Sequence, residues 1–351
     1  MSRPYLSAVV ATRNDSHGGD PNERLRFAMS HFLASAQKHG VSAEYIVVDW
    51  NPPPKKPRME EVIRSWKLPA KGAAVRVLTV PPALHGEVGG AKALSFYQMI
   101  AKNVGIRRAQ GEFILATNID VLLSEGLWKK LKERRFSPER MYRSDRVDVR
   151  SSVLSENPAA LKEHELFRAT TRINRRTSTL NLRLAQNMAL LSYYASRPNN
   201  RRKELRERIR LWLRKLRLPS PFRFRYLLHT NACGDFTLLH TNAWKHLRGY
   251  PEFPVFSFHL DSILCFQAHE NGYREKVLPF PEIHFHIDHT DGWAPESGEQ
   301  LFKKLKRRKI PYFDLEYLEL EQMCRYQPLP VLFNGTDWGF GNVEIAGSQS
   351  L

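Results

Sequence analysis

The sequence predicts an α/β fold, a Rossmann-like and mostly parallel central sheet flanked by helices, with a helical basic insertion. Two observations predict the core. Short strand candidates rich in small and β-branched residues alternate with helical patterns over the first third of the chain, which implies parallel pairing through βαβ units. Strands there end in polar clusters, Thr12-Arg13-Asn14-Asp15, Asp49-Trp50-Asn51 and Asn118-Ile119-Asp120. In such sheets ligands bind beyond the carboxyl ends of the strands, so these clusters are expected to gather on one edge.

Each element has a local reason. Tyr5 to Thr12 is a short apolar strand, followed by a polar loop, Arg13 to Gly19. Asp20-Pro21-Asn22-Glu23 suits a helix start, with Asp as cap, Pro at the first helical position and Glu three residues on. Leu25, Met29, Phe32, Leu33 and Ala36 recur at helical spacing and Gly40 suits the stop. Glu44 to Asp49 and Val75 to Val80 are the next strands. Ala93 to Arg108 is a helix that Gly111 ends, and Phe113 to Thr117 is the fourth strand.

The middle of the chain changes character. Arg143-Ser144-Asp145-Arg146-Val147-Asp148 packs four charges into six positions, and residues 201–217 hold nine Lys/Arg against two Glu. Leu205, Ile209, Trp212, Leu213 and Leu216 would form one apolar stripe of a helix. The expected organisation is therefore a ligand-binding half over 1–130, a helical basic insertion over 131–229, and a second α/β half with a C-terminal extension over 230–351.

Bulk properties exclude some classes. The chain has 351 residues and 11% aromatics, which argues against global disorder. No window approaches the roughly 20 apolar residues of a membrane-spanning helix, and the N-terminal stretch does not read as a signal peptide. Cys233, Cys265 and Cys324 form neither a zinc pattern nor a disulfide framework and point to a reducing, cytoplasmic setting. The net charge of +18 favours anionic partners.

Four segments together resemble the GT-A glycosyltransferases, in particular their family 2-like group. Tyr45-Ile46-Val47-Val48-Asp49 is similar to the strand whose acidic end meets the nucleobase. Asn103-Val104-Gly105-Ile106 with Ala109-Gln110-Gly111-Glu112-Phe113-Ile114-Leu115 resembles the approach to the metal. Asn118-Ile119-Asp120 stands where the family has Asp-x-Asp. Trp244 to Gly249, then Leu260-Asp261 to Asn271-Gly272-Tyr273, resembles the acceptor half, with Asp261 eleven residues before Gly272. The resemblance covers roughly residues 5–125 and 230–290. The sequence departs from the pattern at Asn118 and Leu260, where the family has acids, and in its middle insertion.

The resemblance implies a glycosyltransferase that moves a sugar from a UDP- or GDP-sugar donor to a glycan or lipid-linked acceptor. Thr12, Arg13, Asn14, Asp49 and Asn51, with Asn103, Arg107 and Asn118, are then the expected donor-binding residues. The chemistry calls for a divalent cation, Mn²⁺ or Mg²⁺, to neutralise the leaving diphosphate. Such ions take oxygen ligands, and Mn²⁺ accepts imidazole. Asp120 is the expected ligand, with His286 or His289 from the cluster His284, His286, Asp288, His289. An inverting transfer also needs a base. Asp261 is the first candidate, although it could simply cap a helix over Ser262–Asn271; Asp235 is the second.

The basic run 201–217 has three readings: a solvated helix packed on its own domain, peripheral contact with an anionic membrane at its inner face, or nucleic acid. No recognition motif supports the last. Two competing functions stand beside the transferase. A nucleotidyltransferase would want a glycine-rich phosphate loop, where only Gly18-Gly19 is present. A degenerate, non-catalytic nucleotide-sugar-binding protein would explain Asn118 and Leu260.

Overall fold

The computed structural model describes residues 3–15, 19–69, 73–176, 178–181, 209, 228–289 and 295–347. The chain is mixed α/β. Its main sheet has seven strands in the order β11-β6-β10-β4-β1-β2-β3. These are β1 (Leu6–Thr12), β2 (Ala43–Trp50), β3 (Ala73–Val80), β4 (Phe113–Ala116), β6 (Arg140–Arg143), β10 (Thr237–His240) and β11 (Arg274–Val277). The strands β3, β2, β1 and β4 run parallel. β10 is antiparallel to both its neighbours, and β11 runs parallel to β6. Among the described strands of this sheet only β10 is reversed.

The first strands are apolar without alternation because both faces of the sheet are covered. Val9 and Ala11 of β1 face one core cluster while Leu6, Ala8 and Val10 face another. On one face lies α4 (Gln98–Arg108), on the other α1 (Pro21–His39). Helix α4 sits close because residue 105 is glycine: a Cβ there would come within 2.5 Å of Val9 Cγ1. The caps of α1 are those its sequence dictates. The Asp20 carboxylate accepts from the Asn22 and Glu23 amides, Pro21 opens the helix, and Gly40 closes it in the left-handed region.

A second sheet of five strands has the order β5-β12-β7-β8-β9. It comprises β5 (Val121–Leu123), β7 (Arg146–Val149), β8 (Thr170–Asn174), β9 (Thr179–Asn181) and β12 (His284–Ile287). This corrects the expectation for the middle of the chain. Residues 140–181 are no helical insertion: β6 belongs to the main sheet and β7, β8 and β9 form most of the second. The four charges of 143–148, Arg143, Asp145, Arg146 and Asp148, are all buried: Arg146 pairs with Asp148 and Asp235, Asp148 also with Arg172, Asp145 with His229, and Arg143 donates to the His229 and Cys233 carbonyls. Of the run 201–217, only Ile209 falls among the described residues; the expected stripe with Leu205, Trp212, Leu213 and Leu216 lies outside them.

Two further helices are α7 (Thr241–Leu247) and α8 (Leu260–Glu270); α5 (Glu125–Glu133) packs beside α1. The C-terminal residues return over α4. Arg107 donates to the carbonyls of Thr336 and Trp338, and Arg108 to those of Gly339, Phe340 and Val343. Beyond them the Thr79 amide donates to Ala346 O, which covers part of the β3 edge. No helix among the described residues is long and apolar enough to cross a membrane.

Candidate active site

Asp120 stands at the junction of the two sheets. It follows the carboxyl end of β4 and directly precedes β5, which leaves the main sheet to pair with β12. His286 is opposite Val121 in that pairing, so the register carries its imidazole to Asp120. His286 Nε2 lies 3.7 Å from Asp120 Oδ1 and His289 Nε2 lies 3.3 Å from Oδ2. The ligand-capable atoms of these three residues all lie within 4.8 Å of one another. Asp120 is buried and its Oδ1 has no hydrogen-bond partner. Burial alone would raise the Asp120 pKa, but His286, His289 and Arg24 outweigh it and hold the carboxyl well below its usual range.

A carboxylate with two imidazoles, one oxygen of it lacking a hydrogen bond, suits a divalent first-row ion with open positions. The surroundings fit too. Asp148 lies beside His286 on β7, with its Oδ1 3.3 Å from His286 Nδ1, an outer carboxylate of the kind that orients a ligating histidine. Asp148 also belongs to a second grouping with His286 and Asp288. It already accepts from Arg146 Nε, Arg172 Nε and Asn174 Nδ2, so it anchors the cluster and is poorly placed to ligate. Burial and Arg146 pull the His286 pKa down; Asp120, Asp148 and Asp235 overcome them and leave it raised. His284 is on the same strand but turns elsewhere: its Nδ1 is 2.6 Å from Ser144 Oγ and its ring stacks on Phe236.

Asn118 joins this centre to α4. Its Oδ1 accepts from Gln98 Nε2 at 2.9 Å and from Lys102 Nζ at 2.7 Å, and its Nδ2 donates to Asp235 Oδ1. The oxygen is therefore occupied as an acceptor and Asn118 serves as a connector. Asp235 is held on its other oxygen by Arg146 Nη1 at 2.7 Å. Burial raises the pKa of Asp235, but Arg146 and the nearby histidines bring it below the ordinary value. Both its oxygens being engaged, Asp235 is poorly placed to take a proton.

Asp261 is different. Helix α8 begins at Leu260 with His259 in the cap position, two residues ahead of the expected start at Ser262, so Asp261 is not the cap. It lies in the first turn, half-buried, with Oδ1 accepting from the Ser262 amide at 2.9 Å. Its Oδ2 approaches Gly234, where a Cβ would stand only 2.9 Å away. Lys102 donates to the Gly234 carbonyl at 2.8 Å. Lys102, Asn118, Asp235, Gly234 and Asp261 thus form one connected group.

Thr12, Arg13, Asn14, Asp49 and Asn51 lie together at the carboxyl ends of β1 and β2. Thr12 and Asp49 are in register on neighbouring strands. Arg13 donates to Asn51 O and Asp15, Asn14 to Pro57 O, and Asn51 to Ser95 O. Asp49 Oδ2 accepts from the Met59 amide, while its buried Oδ1 has no hydrogen-bond partner and burial raises its pKa. Asn103 and Arg107 do not join them. Asn103 is fully buried, donates to Tyr250 O and Glu252 and accepts from the Tyr250 amide. Arg107 lies over the Trp338 ring and holds the C-terminal segment. A cleft of about 210 Å³ bounded by Ile100, Glu252 and Asp337 includes none of the Asp120 group.

The sequence reading missed Arg24, Lys102, Arg146 and Asp148. The dense charge of 143–148 was the available signal for the last two; nothing local marks Arg24 or Lys102, which look like ordinary helix-surface cations until the fold buries them.

No family model and no curated protein matches the chain. Among solved structures it is similar to S. aureus TarS (residues 1–349), with 15% identity over 92% of this chain and 71% of that one and a TM-score of 0.40. A likeness that shallow carries no function across.

Proposed function

We propose that this protein is a metal-dependent glycosyltransferase of the GT-A type, moving a sugar from a UDP- or GDP-sugar to a hydroxyl of a glycan or lipid-linked acceptor. The observation that carries the reading is the Asp120–His286–His289 group at a carboxyl strand end, in the sheet whose neighbouring strands end in Thr12 and Asp49. Asp120, His286 and His289 would hold a divalent cation, with Mn²⁺ favoured by the imidazoles. Bound there, such an ion supplies Lewis-acid stabilisation of the departing diphosphate.

The remaining steps belong to the chain's own side chains. Thr12, Arg13, Asn14, Asp49 and Asn51 bind and orient the nucleoside. Asp148 fixes the ring of His286. Asp261 takes the proton from the acceptor hydroxyl in an inverting transfer, and Lys102 with Asn118 steadies the Gly234 backbone against which it sits. Asp235, tied to Arg146, holds the two sheets together beneath the site. The acceptor enters from the α8 side. The basic run 201–217 serves contact with an anionic surface, at the cytoplasmic face of a membrane if the acceptor is lipid-linked.

A second reading has one observation in its favour. Asn118 replaces an acid of the GT-A pattern and its oxygen is already hydrogen-bonded, as a non-catalytic nucleotide-sugar-binding protein would tolerate. Donor hydrolysis with UDP- and GDP-sugars, with and without Mn²⁺, separates the two. Metal-dependent release of the diphosphate that Asp120→Ala abolishes, with the circular dichroism of the variant unchanged, supports the transferase. Donor binding without turnover in the native chain supports the binder, and full activity in Asp120→Ala removes the metal assignment.

A further inference from the structure

The Asp120 group contains a cation that a metal centre does not need. Arg24, on the first turns of α1, is only 5% exposed, and its Nε lies 3.6 Å from Asp120 Oδ2. That oxygen also faces His289 Nε2 at 3.3 Å. A divalent ion held by Asp120, His286 and His289 would put two positive charges close to the guanidinium, where a low effective dielectric makes repulsion strong. The ion and the arginine therefore compete for one carboxylate.

The other side of Arg24 faces the donor edge. A Cβ on Gly19 would stand 3.9 Å from its Nη1, so the guanidinium lies between Asp120 and Gly19, in the segment that follows β1. That segment carries Arg13 and Asn14. In the proposed donor site the diphosphate is the group that links a nucleoside at Thr12 and Asp49 to a sugar at Asp120. A planar guanidinium matches phosphate oxygens in pairs, which an ammonium does not. At 3.6 Å, the Nε contact with Asp120 is an ion pair longer than a hydrogen bond.

We infer that Arg24 is the counter-ion of Asp120 in the free protein and becomes the ligand of the donor diphosphate when a divalent cation takes the carboxylate. The inference rests on the proposed donor and metal sites and adds a residue that neither the sequence pattern nor the metal group contains. It makes the empty protein disfavour metal alone and favour metal together with nucleoside diphosphate. Binding of the two is then coupled through one side chain.

The test is calorimetric titration of the native chain, Arg24→Gln, Arg24→Lys and Asp120→Ala, with Mn²⁺ alone and with UDP or GDP in the presence of Mn²⁺. Arg24→Gln should bind Mn²⁺ alone more tightly, by roughly tenfold or more, and bind the Mn²⁺–diphosphate pair roughly ten- to hundredfold more weakly. Arg24→Lys, which keeps the charge but not the fork, should resemble the native chain for Mn²⁺ alone and lie between the two for the diphosphate. The opposite signs are the signature. Parallel weakening of both ligands in Arg24→Gln and Arg24→Lys would make Arg24 a structural ion pair and overturn the inference, as would no change in either. Loss of Mn²⁺ binding in Asp120→Ala alongside such a result would leave the metal site standing. Mn²⁺ binding that survives Asp120→Ala would instead remove the site on which the proposed function rests.

Discussion

Replacing Lys102 by methionine tests the connected group beneath the site through stability alone. Lys102 is fully buried in α4, and its ammonium donates to Asn118 Oδ1 and Gly234 O. Burial brings its pKa down from 10.5 to about 8, even though Asp235, Asp261 and Asp120 act to hold it up. The folded pKa lies below the unfolded one, so between roughly pH 8 and 10.5 the unfolded chain binds more protons and this group makes stability rise with pH. At about 1.4 kcal/mol per pH unit, titration from about pH 7.5 to about pH 10 is worth about 2 kcal/mol. Methionine keeps the length and removes the titration. Urea denaturation of both proteins across that range should therefore show the native chain gaining about 2 kcal/mol on the variant as pH rises. Near neutral pH the variant also leaves Gly234 O without its donor, a loss on the order of 1–3 kcal/mol, partly offset by no longer burying an ammonium. A stability gap that stays constant over the whole pH range would refute the buried ammonium and the reasoning built on it.

Other outcomes follow from the same geometry. Asp261→Asn should bind UDP or GDP with Mn²⁺ as the native chain does and lose turnover by about 10²–10⁴-fold; a loss under about tenfold would take the base role away from it. Arg107→Ala should lower the melting temperature while leaving nucleotide affinity unchanged, since its partners are the Thr336 and Trp338 carbonyls; weakened nucleotide binding at unchanged stability would return it to the donor site. Gly105→Ala forces a methyl within 2.5 Å of Val9 Cγ1 and 3.0 Å of Val48 Cγ2, an overpacking worth about 1–3 kcal/mol. An unchanged melting temperature would mean that α4 is free to move away from the sheet.

What was legible in the sequence was local. The caps of α1 and the parallel strands up to β4 depend on neighbours a few residues apart, and both appear as read. The strands β6 to β9 were missed because their charges are neutralised by residues far off in sequence. Arg146 meets Asp148 beside it but also Asp235, and Asp145 meets His229. A hydropathy pattern scores such residues as exposed, although the ion pairs allow them to be buried. The same limit explains Asn103 and Arg107: a motif on a helix says which residues are present, while the packing of residues 250–252 and 336–338 against α4 decides which way they face. The positions of Arg24 and Lys102 depend on a junction of two sheets that no short window contains.

The return of the C-terminal segment over α4 sets an order of events during synthesis. The carbonyls that Arg107 and Arg108 bind lie 229 to 235 residues later in the chain. At roughly 5–20 residues per second, α4 leaves the ribosome ten to fifty seconds before its partners are made. Over that interval both guanidiniums stay hydrated, and the backbone of Leu78 and Thr79 on the edge strand is not yet covered by Ala346 and Gly347. An uncovered edge can pair with the same edge of another nascent chain. The edge of β3 is therefore exposed for as long as the residues between Thr79 and Ala346 are being made, and slowing the ribosome over that stretch would lengthen the exposure.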